Sequence, residues 1–157
     1  MVVSYALLIS ELIMAQLFAN IGLNQADGTL VNGGEALAGK TVALYFSAHW
    51  CPPCRQFTPV LKDFYEELEG ENFEIVFVSF DRSEEDLKTY LSESHGDWLH
   101  VPFGSDAITD LATKFGVSGV PALIVITVEG DVITKNGRAD VQGKSPKQAL
   151  AAWKKAA

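Results

Sequence analysis

Apolar residues along the 157-residue chain fall into alternating short, continuous runs and longer stretches with three- and four-residue spacing. Thr41 to Ser47 and Phe73 to Ser79 are near-continuous apolar runs of the kind a strand shows when both of its faces are buried. Between them, Phe57, Val60, Leu61, Phe64, Tyr65 and Leu68 mark one face of a helix that ends by Gly70, and Pro59 inside it predicts a kink. Two such strands joined by a helix predict a βαβ unit with a parallel pair and a right-handed crossover.

The remaining elements follow from the same periodicities. Ser83-Glu84-Glu85-Asp86 resembles a capping box and opens a helix with Leu87, Tyr90 and Leu91 on its inner side. His95 to Phe103 is expected as a loop and Asp106 to Phe115 as a helix. Ala122 to Val128 is expected as a strand, with Asp131 to Lys135 its partner across a Glu129-Gly130 turn. Ser145-Pro146 caps and starts a closing helix with Leu150 and Trp153 facing in. Upstream, the Asn24 to Thr29 turn predicts a small hairpin between Phe18–Leu23 and Thr29–Val31.

The first residues admit several readings. Tyr5, Leu8, Leu12, Ala15 and Phe18 have the spacing of a short amphipathic helix, and Met14 is an alternative start. Val2 to Ile9 has the length of a signal-peptide apolar core, yet no Lys or Arg occurs before Lys40 and no clear cleavage site follows. The chain is therefore divided into an N-terminal extension, 1–14, and one domain, 15–157, with secretion kept as the lesser alternative.

Composition narrows the function. A hydrophobic content of 48% in a chain of this length supports one well-buried core. The formal charge of −8 disfavours nucleic acid as a partner, because Lys and Arg form no stripe. Glu11 interrupts the longest apolar stretch, so neither a membrane span nor stable membrane association is expected. Two cysteines are too few for a disulfide-built scaffold, which leaves them free to cycle between oxidised and reduced forms and favours a reducing compartment.

Both cysteines lie in Trp50-Cys51-Pro52-Pro53-Cys54-Arg55, where a strand hands over to a helix. A Cys-x-x-Cys pair in that position is the layout of a dithiol/disulfide exchange site. Thiolate is the attacking species, and a helix N-terminus presents unpaired N–H groups and a favourable dipole. Cys51, at that end, is expected to attack first, and Cys54, a turn inside, to resolve the mixed disulfide. Pro52 and Pro53 stiffen the segment and start the helix with φ already set. Trp50 is expected to form an apolar shelf beside the nucleophile. No cofactor is expected. A competing zinc reading takes Cys51 and Cys54 with His95 and His100, a spacing barely compatible with a finger. His49 either tunes Cys51 or is a solvated neighbour. Val120-Pro121 belongs at the start or edge of a strand, because proline cannot donate to the ladder.

The stretch Tyr45-Phe46-Ser47-Ala48-His49-Trp50-Cys51-Pro52-Pro53-Cys54-Arg55-Gln56-Phe57-Thr58-Pro59 resembles the thioredoxin fold in its tryparedoxin/nucleoredoxin branch. So do Phe73 to Ser79, Ser83 to Asp86, Gly96 to Phe103 and Val120-Pro121. Ile133 to Val141 is most similar to small nematode thioredoxins with W-C-P-P-C. The resemblance implies an α/β thioredoxin fold, a central mixed sheet flanked by helices, over about residues 15 to 155. It also implies Cys51 as nucleophile, Cys54 as resolver and Trp50 as site-edge aromatic. Val120 and a cis Pro121 would lie where a substrate backbone pairs. Arg138 is implied to contact substrate as some branch members do, beside the plain reading of an exposed arginine after a hairpin. In one departure, Tyr45 stands where many thioredoxins carry a buried acid. A phenol of pKa ~10 is a poor base near neutrality, so water or another group is expected to take the Cys54 proton.

Two functions are expected to compete. In the first, a monomeric cytoplasmic or nuclear protein-disulfide reductase takes protein or small-molecule disulfides as substrates and is recharged by a reductase or a low-molecular-weight dithiol. In the second, a redox-sensing binding module uses the Cys pair only to switch a partner contact.

Overall fold

The computed structural model describes residues 17, 18 and 21–157. The division at residue 14, the signal-like run and most of the proposed amphipathic helix lie outside the described residues. Of that helix, Phe18 is described and is buried. The chain order is β1 (Gly22–Asn24), β2 (Leu30–Asn32), α1 (Gly33–Ala36), β3 (Thr41–Ser47), α2 (Pro52–Glu67), β4 (Phe73–Ser79), α3 (Glu84–Ser94), β5 (Leu99–His100), α4 (Asp106–Lys114), β6 (Ala122–Ile126), β7 (Val132–Thr134), α5 (Gly137–Gly143) and α6 (Pro146–Ala156).

The strands form one mixed sheet in the order β2-β1-β5-β4-β3-β6-β7. β3 pairs in parallel with β4 and antiparallel with β6, so it is central, and all seven of its residues are buried. Because side chains alternate across a strand, β3 feeds two cores. Ala43 and Tyr45 join Ile75, Phe77, Leu123 and Val125 beneath Phe57, Leu61 and Phe64 of α2 and Leu150 and Trp153 of α6. Val42, Leu44 and Phe46 face the other way, with Val76, Val78, Ile124 and Ile126, onto Leu111 of α4 and the leading segment's Phe18, Leu23 and Leu37. This is the α/β arrangement of a mixed sheet covered by helices on both faces.

The caps explain where the helices begin. Ser83 Oγ accepts the Asp86 N–H, and Ser145 Oγ accepts the Gln148 N–H while the Gln148 side chain returns to the Ser145 N–H. Among the described residues, no helix is long and apolar enough to cross a membrane.

Three local expectations are corrected. Val60 is 41% exposed, because Phe57, Leu61, Phe64 and Leu68 already form a complete stripe; the buried neighbour is Thr58. The 95–103 loop contains β5, whose two residues gain strand geometry by pairing with Val76 and Phe77 of β4 on one side and Asn24 of β1 on the other. α1 and α5 are short helices in glycine-rich sequence whose periodicity is too brief to read. α1 is capped by Asn32, whose side-chain oxygen accepts the Glu35 N–H.

Candidate active site

The site is built where β3 ends. Backbone pairing continues past the strand through the Phe80 N–H to the Ser47 carbonyl at 2.9 Å. Asp81 then ties the neighbouring loops together: one carboxylate oxygen accepts the His49 N–H at 2.7 Å and the other the Ser79 hydroxyl at 2.7 Å. The next residue, Trp50, is 46% exposed. Its indole N–H donates to the Phe80 carbonyl at 3.0 Å, and the Arg82 guanidinium stacks 5.0 Å from its ring centre. His49 turns away toward α3, where Nε2 meets Glu93 Oε2 at 2.9 Å.

Cys51 is the N-cap of α2. Pro52 and Pro53 occupy the first turn, where their missing N–H groups cost no helical bond, and the Cys51 sulfur accepts the Cys54 N–H at 3.4 Å. Cys51 is 5% exposed and Cys54 fully enclosed; both are free thiols. The Val120-Pro121 bond is cis, and the Val120 carbonyl oxygen lies 3.8 Å from the Cys51 sulfur. Ala48 and Val120 complete the apolar wall around the pair.

Behind Cys54 the enclosure is polar. Tyr45 Oη lies 2.6 Å from Thr58 Oγ1, Thr58 Oγ1 lies 2.5 Å from Tyr90 Oη, and Tyr90 Oη lies 2.6 Å from Ser47 Oγ. Thr58 also donates to the Cys54 carbonyl at 2.9 Å. Burial, reinforced by the Cys51 contact and only partly offset by the Ser47 hydroxyl, pushes the Cys54 thiol up to about 11. Burial also raises the Tyr45 phenol far above its ordinary value, so it cannot serve as a base near neutrality.

Arg138, at the start of α5, reaches back toward the pair: Nη1 donates to the Pro121 carbonyl at 3.4 Å and the guanidinium stands 5.5 Å from the Phe57 ring centre. The geometry therefore gathers Trp50, Cys51, Cys54, Val120, Pro121 and Arg138. His95 and His100 are engaged otherwise. His95 sits in a cage of Tyr45, Phe77, Tyr90 and Trp98, and its Nδ1 accepts the Trp98 indole N–H at 3.1 Å. Among the described residues, no group of three or more His, Cys, Asp and Glu side chains is placed to hold a metal.

Sequence reasoning passed over Ser47, Thr58, Tyr90, Asp81 and Arg82. Ser47 and Thr58 carried a signal, since each is a hydroxyl in an otherwise buried apolar pattern, and Thr58 lies one helical turn beyond Cys54. Asp81 and Arg82 carried none, because their importance depends on the loop that β4 delivers beside Trp50.

A Thioredoxin-like family model matches residues 39–132, which holds the strand, the Cys-x-x-Cys turn and the cis-proline strand just described. The chain belongs to the thioredoxin-like family. It is 48% identical over 124 residues to human nucleoredoxin, a match covering 74% of this chain and 28% of nucleoredoxin. The chain thus spans little more than a quarter of that relative. The crystal structure of thioredoxin from Wuchereria bancrofti is 65% identical, with a TM-score of 0.78 over 89% of this chain and 98% of that one. Tryparedoxin II from C. fasciculata, complexed with glutathionylspermidine, is 36% identical, with a TM-score of 0.74 over 83% and 91% of the two chains. This thioredoxin-like domain carries a Cys-x-x-Cys pair, Cys51 and Cys54, at the start of α2.

Proposed function

We propose that the chain works as a disulfide reductase through Cys51 and Cys54. The Cys51 thiolate attacks one sulfur of a substrate disulfide, forming a mixed disulfide and releasing the first substrate thiolate, which takes a proton. Cys54 then loses its proton and attacks the Cys51 sulfur, releasing the second substrate thiolate. Two electrons have passed to the substrate and the chain holds a Cys51–Cys54 disulfide. A reductase or low-molecular-weight dithiol returns it to the reduced form.

The carrying observation is the asymmetry of the pair. The Cys51 sulfur caps the helix and keeps a small exposure opposite the Val120 carbonyl, while Cys54 is fully enclosed one turn deeper. Trp50, Val120 and Pro121 are the proposed platform for substrate, with an extended backbone pairing beside the cis-proline and Pro52 and Pro53 holding the turn. The glutathionylspermidine complex of tryparedoxin II supports small thiol conjugates alongside proteins among the partners. We place the chain in a reducing compartment, where its thiols stay free.

Trapping tests the assignment. Cys54→Ser, incubated with a disulfide substrate, is expected to accumulate a mixed disulfide at Cys51 visible by mass spectrometry, and Cys51→Ser to accumulate none. Equal behaviour of the two variants would refute the division of labour.

A second reading is favoured by the match to human nucleoredoxin, of which this chain resembles only one portion: the dithiol then switches a partner contact. Sustained turnover of a model disulfide with a dithiol donor supports the reductase. A single stoichiometric oxidation accompanied by a change in partner affinity supports the switch.

A further inference from the structure

The chain contains only three arginines against 20 acidic residues, and all three border the same small surface. Arg55 follows Cys54 on the exposed side of the first turn of α2, its N–H donating to the Cys51 carbonyl at 3.1 Å. Arg82 stacks on the exposed Trp50 ring, on the other side of the nucleophile. Arg138 stands at Pro121 and Phe57.

None of the three is neutralised. Among the described residues, no acidic side chain lies within ion-pair distance of any arginine. The acids nearby are committed elsewhere: Asp81 turns inward to His49 and Ser79, Glu93 meets His49, Glu84 meets Lys88, and Asp140 meets Lys144 and the Trp153 indole. Arg138 Nε is moreover buried with no acceptor among the described residues, which leaves its guanidinium with donor capacity beyond the Pro121 carbonyl. Of the described residues, two acids line the groove of about 650 Å³ beside Trp50: Asp81, which accepts from His49 and Ser79, and Asp106 on the wall formed by α4.

An unpaired guanidinium is a rigid, permanently charged fork matched to carboxylate. In a chain of net charge −8, Arg82 and Arg138 put permanent positive charge on the Trp50 and Pro121 sides of the dithiol, which favours an anionic partner there. We propose that the preferred disulfide substrate carries carboxylates flanking its S–S bond, bound between Arg82 on the Trp50 side and Arg138 on the Pro121 side, with Arg55 reinforcing the charge. Arg82 is the specificity-determining residue of this arrangement. The inference rests on the reductase reading and narrows its substrate class.

The test compares reduction rates of three small disulfides by the full chain with dithiothreitol as donor: oxidised glutathione (net negative), cystamine (net positive) and hydroxyethyl disulfide (neutral). Arg82→Gln is expected to lower the glutathione-to-cystamine rate ratio about two- to fivefold, and Arg82→Glu about tenfold, as befits exposed charge pairs near the reacting atoms. Each rate is divided by the same variant's rate with neutral hydroxyethyl disulfide, which corrects for any change in the fold, the Trp50 shelf or the dithiol. Lys147→Gln in α6 is expected to leave the ratio where it is, so a change in net charge alone does not mimic the effect. Disulfide-bridged peptides flanked by glutamates or by lysines assign the source: a fall with glutathione points to small anionic disulfides, and a fall confined to the glutamate peptides points to an acidic polypeptide. An unchanged ratio in both arginine variants, with both small molecules and peptides, overturns the inference. Failure of the wild-type chain to turn over hydroxyethyl disulfide overturns the reductase reading itself.

Discussion

Ser47 Oγ and the Tyr90 hydroxyl stand 2.6 Å apart behind the enclosed sulfur of Cys54, which joins the central strand to α3 at the point where the chemistry needs a polar neighbour. Tyr90 passes the connection to Thr58, and Thr58 to Tyr45, so four buried hydroxyls satisfy one another. A buried network of this kind is stabilising only while complete. Tyr90→Phe strips Ser47 and Thr58 of a shared partner and is expected to cost about 1–3 kcal/mol. Thermal unfolding should show a fall in Tm of roughly 3–10 °C; a melt unchanged within a degree would mean the hydroxyls are independent.

The enclosure of Cys54 predicts how it titrates. Its thiol is held protonated to about pH 11 by burial. Timed alkylation of the reduced protein with iodoacetamide at pH 7 should therefore modify Cys51 well ahead of Cys54. Labelling of Cys54 should climb about tenfold per pH unit toward 11, since only the thiolate reacts. The linkage has a definite sign: an unfolded thiol ionises from about pH 8.5, whereas the folded one does not, so the reduced protein loses stability as pH rises through that window. Cys54→Ser should remove this contribution.

His95 predicts the opposite limb. Burial, with a smaller contribution from His100, lowers its pKa to about 3. The unfolded chain takes up a proton near pH 6.5 and the folded chain does not, so stability falls as pH drops from about 6.5 toward 3, at up to about 1.4 kcal/mol per pH unit for one proton. Denaturant melts between pH 6.5 and 5 isolate the effect from most carboxylates. His95→Asn, which keeps an acceptor near the Trp98 indole, is expected to flatten the slope; an unaltered slope would show that His95 does not set it.

Gly137 predicts a purely steric effect. A Cβ at this position would lie 2.8 Å from the Leu123 carbonyl oxygen and 3.0 Å from its Cγ. The obstruction is the backbone of β6, which cannot swing aside. Gly137→Ala should cost about 1–3 kcal/mol by overpacking, lower the Tm, and displace the neighbouring Arg138 from Pro121. If the variant melts like the parent, α5 is not packed as tightly against β6 as the structure has it.

The reach of sequence reasoning differed from element to element for identifiable reasons. Thr41 to Ser47 and Phe73 to Ser79 were legible because a strand buried on both faces tolerates almost nothing but apolar residues, and this pattern is local. The helix from Pro52 and the closing helix from Ser145 were legible because caps and prolines act within one turn. Cys51 and Cys54 were legible for the same reason: four consecutive residues place one sulfur at a helix end and the other inside it.

Tertiary structure alone decided what depends on distant segments meeting. β5 exists because Val76 and Phe77 of β4 and Asn24 of β1 meet it from either side, not because Leu99-His100 favours strand. Tyr45, Thr58 and Tyr90 come from a strand and two helices, and no spacing along the chain announces that their hydroxyls converge on one another. Arg55, Arg82 and Arg138 are likewise scattered in sequence, yet the sheet brings the loop after β4, the first turn of α2 and the start of α5 to one rim. Sequence specifies local conformation through forces that act within a few residues; charge and hydrogen bonding at the site sum over groups that only the folded sheet makes neighbours.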